Sequence, residues 1–529
     1  MKRRILAVAL LLAIPLVMAL RSATNGAETV RVEQGMLAGA SGVHPDVRVY
    51  RGIPYAAPPV GELRWKAPQP AAAWQGVRQA TEFSPVCMQT PYPASAAIYQ
   101  SKPQPLSEDC LYLNVWTAAK SGKERLPVMV WIHGGGFTRG SGSSASYDGE
   151  ILARKGVVVV TVNYRLGVFG FFAHRALTAE SEHHASGNYA LLDQIAALEW
   201  VKKNIAAFGG DTNCVTIFGE SAGSWAVNAL MASPRAKGLF HRAIGESGGS
   251  FAPMKRLADA EKAGEELAAS LGVTTDVLKT LRAKPAEEIL KASSEQTIRQ
   301  VVDGWVLPEE IYAIFARGKQ NDVPLMVGFN ADEGTALAPQ GANIKKELFI
   351  AGAQQRYGSL AKKFLKVYPA GTDEEAVNSF YAAYRDSVFG WEMRTWARLQ
   401  TKTGHQPAYF YYFTRRPPGP QQEKLRAFHA ADLAYVFGNF PWPFPWEGAD
   451  RKLSEAITSY WTNFAKTGNP NGEALTQWPV YEAEADQSIE FGDEIGLKSL
   501  INKAGLDFFD AYQESLRKAA EKPAVTGVK

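Results

Sequence analysis

The chain has 529 residues, of which 46% are hydrophobic and 21% charged, an ordinary composition for a globular protein. It carries 57 lysine and arginine residues against 53 aspartate and glutamate residues, a net charge of +4. Lys2, Arg3, Arg4 and Arg21 precede the first acidic residue, Glu28, so the remainder of the chain is formally neutral. This balance argues against binding to nucleic acid and against polybasic attachment to a membrane.

The N-terminus has the pattern of a secretory signal. Its basic start is followed by an apolar segment at residues 5–17, and Ala19, Ala23 and Ala27 offer cleavage positions. Because this segment is short for a membrane span, we expect residues 1–27 to be removed, with cleavage between 19 and 27. A retained membrane anchor is the alternative. The mature protein is expected to be secreted or periplasmic, without stable membrane association.

The chain contains three cysteines, and disulfides form in the oxidising compartments that an exported protein reaches. Proline, serine, alanine and tyrosine dominate the segment between Cys87 and Cys110, a composition typical of a loop that a disulfide can clamp. Cys214 begins an apolar stretch. We therefore expect Cys214 to be a buried free thiol.

After the N-terminal segment, apolar stretches typical of buried strands alternate with patterns of helical period. The predicted strands lie, in chain order, at 126–132, 156–162, 215–218, 242–245, 324–329 and 408–413. The predicted helices lie between them, at 188–208, 225–231 and 260–271. This alternation predicts the α/β class, with a mostly parallel central sheet flanked by helices. Since no linker or repeat interrupts the pattern, residues 28–529 are expected to form one domain.

Two segments match the pattern Gly-x-Ser-x-Gly. The segment at 219–223 directly follows one predicted strand and precedes a predicted helix, as a nucleophile elbow requires, so Ser221 is the candidate nucleophile. The segment at 245–249 also follows a strand, but a loop with a proline comes after it. We therefore expect Ser247 to be a buried, hydrogen-bonding serine near the site.

A glycine tract follows the strand at 126–132. Backbone N–H groups of such a tract can stabilise the oxyanion that forms when a serine attacks a carbonyl. Gly135 and Gly136, together with Ala222, would supply three donors. A merely flexible glycine turn is the alternative.

The candidate base must lie late in the chain, because this kind of site follows the order serine, acid, histidine. Of the eight histidines, only His405 and His429 lie late enough. His405 precedes the strand at 408–413, whereas His429 follows it and so emerges at the end where open α/β sheets bind ligands. His429 is therefore the predicted base.

The candidate acid should follow the preceding strand, at 324–329. Asp332 and Glu333 both lie in the required place, and spacing alone does not choose between them.

With these residues, the chain resembles the type-B carboxylesterases, relatives of the cholinesterases that have the α/β-hydrolase fold. The resemblance covers nearly all of the mature chain. Beyond the elbow, it is carried by YRGIPY at 50–55, EDCLYLN at 108–114, NYRLG at 163–167, FGGD at 208–211, DEG at 332–334 and HAADL at 429–433.

The resemblance implies specific roles for residues of this chain. It implies that Glu333 is the acid and that Cys87 and Cys110 form a disulfide. It implies oxyanion donors at Gly135, Gly136 and Ala222, and we expect Glu220 and Ser247 to support the site. In cholinesterases a tryptophan of the disulfide loop binds the quaternary ammonium, but residues 88–109 contain no tryptophan, so we do not expect choline esters to be the preferred substrates.

The sequence thus predicts a serine carboxylesterase that uses Ser221, His429 and Glu333 and forms an acyl-enzyme. No cluster of metal-ligating residues stands out, so neither a metal nor an organic cofactor is expected. The expected partner is a small ester, bound by a monomer or a weak homo-oligomer. The alternatives are a lipase, an amidase or a hydrolase of toxic esters, and, more remotely, a cholinesterase-like binding module without catalysis.

Three long excursions, at 88–107, 251–321 and 336–407, are expected to cover the site. The last contains aromatic residues that either line the substrate pocket or form a helix core, namely Tyr381, Tyr384, Phe389, Trp391 and Trp396.

Overall fold

The computed structural model of the protein describes residues 29–93, 98–99, 102–293, 299–440 and 443–521. The expected signal at 1–27 lies outside these residues. Every helix within them is either too short or too polar to span a membrane.

Most strands belong to one 11-stranded sheet, ordered β16-β15-β14-β13-β12-β11-β9-β10-β8-β4-β3 with the ranges that follow. The described strands are β1 (Thr29–Val32), β2 (Gly35–Ala38), β3 (Ala40–Ser41), β4 (Arg48–Pro54), β5 (Val77–Gln79), β6 (Val86–Cys87), β7 (Leu106–Ser107), β8 (Tyr112–Thr117), β9 (Leu126–Ile132), β10 (Val158–Val162), β11 (Gly210–Glu220), β12 (Arg242–Glu246), β13 (Leu325–Asn330), β14 (Ala408–Phe413), β15 (Gln487–Phe491) and β16 (Ile495–Ser499). Two small sheets, β1-β2-β5 and β6-β7, accompany the central one.

Helices surround this sheet. The described α-helices are α1 (Glu150–Arg154), α2 (Gly167–Phe171), α3 (Arg175–Glu180), α4 (Tyr189–Asn204), α5 (Ala222–Ala232), α6 (Leu257–Ser270), α7 (Val277–Ala283), α8 (Ala286–Ala292), α9 (Ile311–Ala316), α10 (Gly334–Leu337), α11 (Lys346–Tyr357), α12 (Ala361–Val367), α13 (Asp373–Arg385), α14 (Trp391–Thr403), α15 (Gln422–Leu425), α16 (Leu433–Val436), α17 (Gly448–Thr467) and α18 (Lys503–Glu521).

The centre of the sheet is parallel, and its two edges are antiparallel. Strands from β10 through β9, β11, β12, β13 and β14 to β15 pair in parallel, whereas β8, β4, β3 and β16 pair antiparallel. Side chains of β9 alternate between two buried clusters, because Val130 and Ile132 face one layer of helices and Trp131 faces the other. Apolar residues on both faces explain the continuous apolar stretches of the central strands. The predicted fold class is confirmed.

The antiparallel strands were not predicted. In β8, Asn114 interrupts the apolar pattern, yet it is buried because its side chain donates to Thr161 Oγ1 at 3.0 Å and accepts from the Gly52 N–H at 3.0 Å. A buried polar residue satisfied by a distant partner leaves no signal in local hydrophobicity.

Two of the expected excursions leave the carboxyl end of the central sheet. The chain between β12 and β13 carries α6 to α9, and the chain between β13 and β14 carries α10 to α14. Since the ends of parallel strands lie on the same edge, the segments that follow β9, β11, β12 and β13 meet there.

The structure confirms the expected disulfide and the expected free thiol, but the burial of that thiol differs from the prediction. Cys87 and Cys110 form a disulfide, with their Cα atoms 5.0 Å apart. Cys214 is free, as predicted, but it is half-buried rather than buried. Its thiol lies at the start of the apolar part of β11, where Arg242 Nη1 comes within 3.1 Å of the sulfur. The polar first residues of β11 keep this end of the strand near solvent.

Candidate active site

Ser221 lies in a tight turn between β11 and α5. Its backbone has φ 57° and ψ −121°, a strained conformation for a residue other than glycine, and its side chain is half-buried. Glycines allow the turn, because a Cβ on Gly223 would lie 1.9 Å from the carbonyl oxygen of Ile132 and one on Gly219 would lie 2.6 Å from the backbone of Gly223. The sequence pattern therefore reflects close packing of α5 against β9 and β11.

The glycine tract after β9 lies directly against this turn. A Cβ on Gly134 would lie 3.1 Å from the Cβ of Ser221, and Gly135 and Gly136 have φ values of 107° and 65°. Among the described residues, the backbone N–H groups of Gly135, Gly136 and Ala222 donate no hydrogen bond. Three unpaired donors close to a serine fit the requirements of an oxyanion hole.

His429 and Glu333 are in contact. Nδ1 of His429 lies 2.6 Å from Glu333 Oε2, and the other carboxylate oxygen accepts from the Asn330 N–H at 2.7 Å. Both side chains are buried, with exposed fractions of 4% and 0%. A carboxylate held in this way fixes the imidazole ring and stabilises its protonated form.

Asp332, the alternative acid, does not reach the histidine. It is half-buried, and it accepts from the Ala427 N–H at 3.2 Å and lies 3.7 Å from Arg426 Nη1. It therefore holds the loop that precedes His429, while its neighbour Glu333 points inward to the ring.

The second ring nitrogen of His429 lies beside Glu220. Nε2 is 3.0 Å from Glu220 Oε1, and the Ser221 hydroxyl forms no hydrogen bond to a described residue. Burial alone would lower the pKa of His429, but the carboxylates of Glu220 and Glu333 outweigh it and raise this pKa to about 10. Burial also raises the pKa of Glu220 above its ordinary value. Imidazole and Glu220 are thus close enough to share a proton.

The residues around Ser247 differ from the prediction in one point. Ser247 is fully buried, as expected, and its N–H donates to the Gly328 carbonyl at 2.9 Å. Its hydroxyl, however, has no hydrogen-bond partner among the described residues. The prediction that the Ser247 side chain forms a hydrogen bond is therefore wrong. The preceding residue, Glu246, accepts from Trp461 Nε1 at 2.7 Å.

Aromatic residues from two excursions flank His429. The ring of Phe389 lies 4.8 Å from the imidazole, and Tyr99, from the disulfide loop, donates to the His429 carbonyl at 2.9 Å. Of the other predicted aromatic residues, Trp391 and Trp396 are buried, while Tyr381 and Tyr384 are half-buried. Phe389 therefore faces the site, and the two tryptophans belong to the helix core.

Asn330 and Asp432 also shape the site, and sequence reasoning missed them. The Asn330 side chain donates to the Phe428 carbonyl at 2.9 Å and to Asp432 Oδ1 at 3.0 Å, and Asp432 accepts from Tyr411 at 3.0 Å. Their only signal in the sequence was position, since Asn330 ends a strand and Asp432 follows His429 by three residues.

The described residues contain no group of three histidine, cysteine, aspartate or glutamate side chains placed to hold a metal ion. His183, from the paired histidines of one loop, stacks on Trp305 with ring centres 3.9 Å apart.

Comparison with known proteins identifies the family. Residues 26–509 match the model of the carboxylesterase family. The chain is 38% identical to a fumonisin B1 esterase of Sphingopyxis macrogoltabida, over 86% of this chain and 85% of that one. It is also 38% identical to the para-nitrobenzyl esterase of Bacillus subtilis (strain 168), over 89% and 96%.

A solved PNB esterase structure superimposes with a TM-score of 0.79 at 36% identity, covering 91% of this chain and 100% of the other. The resemblance found in the sequence motifs is thus matched over the whole fold. The chain belongs to the carboxylesterase family and is a carboxylic ester hydrolase with the α/β-hydrolase fold.

Proposed function

We propose that the protein is a secreted serine carboxylesterase that works through an acyl-enzyme, with Ser221 as nucleophile, His429 as base and Glu333 as acid. The observation that carries this proposal is the strained, accessible Ser221 beside unpaired backbone donors, with a buried carboxylate–imidazole pair close by. Catalytic hydrogen bonds are often absent or long before substrate binds, so the missing Ser221–His429 bond does not oppose the assignment.

The first step forms a bond between the Ser221 oxygen and the ester carbonyl carbon. The serine proton passes to Nε2 of His429, and the resulting oxyanion accepts hydrogen bonds from the N–H groups of Gly135, Gly136 and Ala222. The carbon–oxygen bond to the alcohol then breaks, and His429 returns its proton to that alcohol. A water molecule, deprotonated by His429, next attacks the acyl carbon. The bond from that carbon to the Ser221 oxygen breaks, His429 returns the proton to this oxygen, and the acid is released.

Glu220 has a supporting role in this scheme. Its carboxylate lies 3.0 Å from Nε2 of His429 and, together with that of Glu333, raises the pKa of the ring above its ordinary value. Once Ser221 has given up its proton, the imidazolium lies between the carboxylates of Glu220 and Glu333, which stabilise it.

Labelling tests the nucleophile directly. A fluorophosphonate probe should modify Ser221 in the wild type, and peptide mapping should find no adduct in Ser221→Ala. A panel of p-nitrophenyl esters of increasing acyl length should be hydrolysed in parallel with that labelling. An adduct on Ser247, or ester hydrolysis that survives in Ser221→Ala, would overturn the assignment.

Secretion is the remaining part of the proposal. It is supported by the basic and apolar N-terminus and by the Cys87–Cys110 disulfide, which an oxidising compartment favours. N-terminal sequencing of the exported protein should give a first residue between 20 and 28. An N-terminus at Met1 in that fraction would contradict the cleavage.

A further inference from the structure

Arg299 packs against Trp225, a residue of the helix that Ser221 begins. The guanidinium carbon of Arg299 lies 4.5 Å from the ring centre of Trp225. Trp225 is one turn beyond Ser221 in α5, and its N–H donates to the Ser221 carbonyl at 2.9 Å. The Trp225 ring also lies 5.9 Å from the ring of Phe137, the residue after the candidate oxyanion glycines. Arg299 therefore lies beside the nucleophile and the oxyanion loop rather than on a remote surface.

The chain that carries Arg299 is anchored by the residues that follow it. Gln300 donates to Ser250 Oγ at 2.9 Å. The backbone of Val301 exchanges two hydrogen bonds with the Asn188 side chain, at 2.8 and 3.1 Å. These contacts tie the segment to α4 and to the loop after Ser247, so the position of Arg299 is fixed by buried neighbours.

Arg299 has no counter-ion within the described part of the chain. Its side chain is exposed, and desolvation by the residues packed around it lowers its pKa. The candidate catalytic carboxylates do not serve as its counter-ions, since Glu220 and Glu333 both lie against His429. The described residues thus leave this guanidinium able to bind the carboxylate of a bound molecule.

A second arginine, Arg139, lies next to the glycine tract. Arg139 donates a backbone hydrogen bond to the Gly135 carbonyl at 3.2 Å, and its guanidinium lies over Tyr92 at 5.2 Å. Its Nη2 donates to Thr90 Oγ1 at 3.3 Å, but its Nε is buried without a hydrogen-bond partner, and the side chain forms no ion pair among the described residues. Two arginines near the oxyanion loop thus lack a carboxylate partner among the described residues.

The two halves of an ester lie on different sides of the serine. The alcohol must leave beside His429, because Nε2 gives it a proton. His429 contacts Glu220, Glu333, Phe389 and Tyr99, whereas Arg299 lies on Trp225 of α5, whose ring contacts Phe137. We infer that the preferred substrates are esters whose acid half carries a second carboxylate, such as monoesters of dicarboxylic acids, and that Arg299 binds this carboxylate beside Trp225. The inference rests on the proposed function of Ser221 and His429.

The chemistry of the guanidinium suits this role. Its planar fork of N–H donors matches the two oxygens of a carboxylate, and stacking on an indole holds the fork in place. The Trp225–Arg299 pair therefore presents an oriented set of N–H donors beside the helix that Ser221 begins.

The test compares esters that differ only in charge. Monoethyl adipate and its neutral amide, ethyl adipamate, place the change on the acid half, and hydrolysis is followed by titration of the released acid. The readout is the ratio of kcat/KM for the anionic ester to that for the amide. Arg299→Gln should lower this ratio about fivefold to tenfold, the range expected for a partly exposed charged hydrogen bond. Arg299→Lys should keep part of the preference.

Two controls isolate the effect. Arg78 also covers a tryptophan, Trp74, at 5.5 Å, but it lies in the small N-terminal sheet, so Arg78→Gln should leave the ratio unchanged. A second pair, 4-acetoxybenzoate and 4-acetoxybenzamide, places the charge on the leaving alcohol, and its ratio should not depend on Arg299. High salt should weaken the wild-type preference for monoethyl adipate by screening.

The outcomes separate the inference from the proposed function. Hydrolysis of both adipate esters with the same ratio in wild type and Arg299→Gln overturns the inference alone. A ratio that depends on Arg299 only for the acetoxybenzoate pair overturns the assignment to the acid half. Failure of the wild type to hydrolyse any ester, without probe labelling of Ser221, is failure of the proposed function.

Discussion

Two turns of nearly the same sequence lie side by side at the carboxyl edge of the sheet. Gly-Glu-Ser-Ala-Gly follows β11 and Gly-Glu-Ser-Gly-Gly follows β12, with Glu220 directly opposite Glu246 in the parallel register. Both serines have positive φ values, 57° for Ser221 and 52° for Ser247. Local sequence and backbone strain therefore do not distinguish the two turns.

Their surroundings do distinguish them. Ser221 begins α5 and is half-buried, with Glu220 beside the imidazole of His429. Ser247 is fully buried, and Glu246 contacts Trp461 of α17 instead of a histidine. The first turn meets the requirements of a nucleophile, namely access for substrate and a base in reach, whereas the second packs under it. The pattern Gly-x-Ser-x-Gly marks a turn geometry, and the neighbours of that turn decide whether its serine can act as a nucleophile.

The largest difference should come from the two serines themselves. Ser221→Ala should lower kcat by on the order of 10⁴ to 10⁶, as loss of a triad nucleophile does. Ser247→Ala should change kcat less than about tenfold and should leave stability equal or higher, because the hydroxyl that it removes is buried and unpaired. Steady-state kinetics and urea denaturation of both variants measure this. Comparable losses of kcat would mean that the second turn is also catalytic.

The next effect concerns the base that only the first turn reaches. Glu333→Gln should lower kcat by on the order of 10⁴, because the imidazolium loses the carboxylate that stabilises it. Asp332→Asn is the matched control, since Asp332 holds the loop before His429 without touching the ring, and it should cost less than about tenfold. Measurement of kcat for both variants on one p-nitrophenyl ester tests which residue is the acid. A reversed order would make Asp332 the acid.

Glu220 and Glu246, the glutamates that precede the two serines, can be compared by replacing each with glutamine. Glu220→Gln should lower kcat/KM about 10-fold to 100-fold, the cost of a buried hydrogen bond to a charged group. Because the Glu220 carboxylate raises the pKa of His429, the acidic limb of the pH profile should also move to lower pH. Glu246→Gln should change kcat/KM less than about threefold, without moving that limb. Identical pH profiles for both variants would show that Glu220 acts only structurally.

The smallest effect is on stability. Burial, and then the nearby Asp432, raise the pKa of Glu246 well above 4.5, so the folded protein holds this proton more tightly than the unfolded chain. The free energy of unfolding should therefore decline as pH rises above about 4.5, since ionisation of Glu246 is then favoured only in the unfolded state. Glu246→Gln should remove part of this decline.

Urea denaturation of wild type and Glu246→Gln between about pH 5 and pH 9 measures how the free energy of unfolding of each changes with pH. The variant should gain stability relative to wild type as pH rises. The exposed Glu484 provides a control, because Glu484→Gln should leave the pH dependence unchanged. If the stability of Glu246→Gln instead falls relative to that of wild type as pH rises, the assignment of the proton to Glu246 is wrong.

The sequence by itself determined the parallel centre of the fold and the residues to consider. Apolar stretches such as the one at 126–132 coincide with β9, because strands buried on both faces need apolar side chains at every position. The glycines at 219 and 223 also allowed the turn to be predicted from sequence, because the close approach of α5 to β9 leaves no room for a Cβ at either position. The order along the chain then led to His429.

Only the tertiary structure decided between alternatives that are neighbours in sequence or alike in pattern. Asp332 and Glu333 are adjacent in the chain, and the direction of each side chain depends on how the loop after β13 meets the loop before His429. The two serine turns likewise differ in what lies above them, which is set by segments tens to hundreds of residues away. Contacts of this kind leave no local periodicity, so Asn330, Asp432 and the Trp225–Arg299 pair became visible only when the folded chain brought them together.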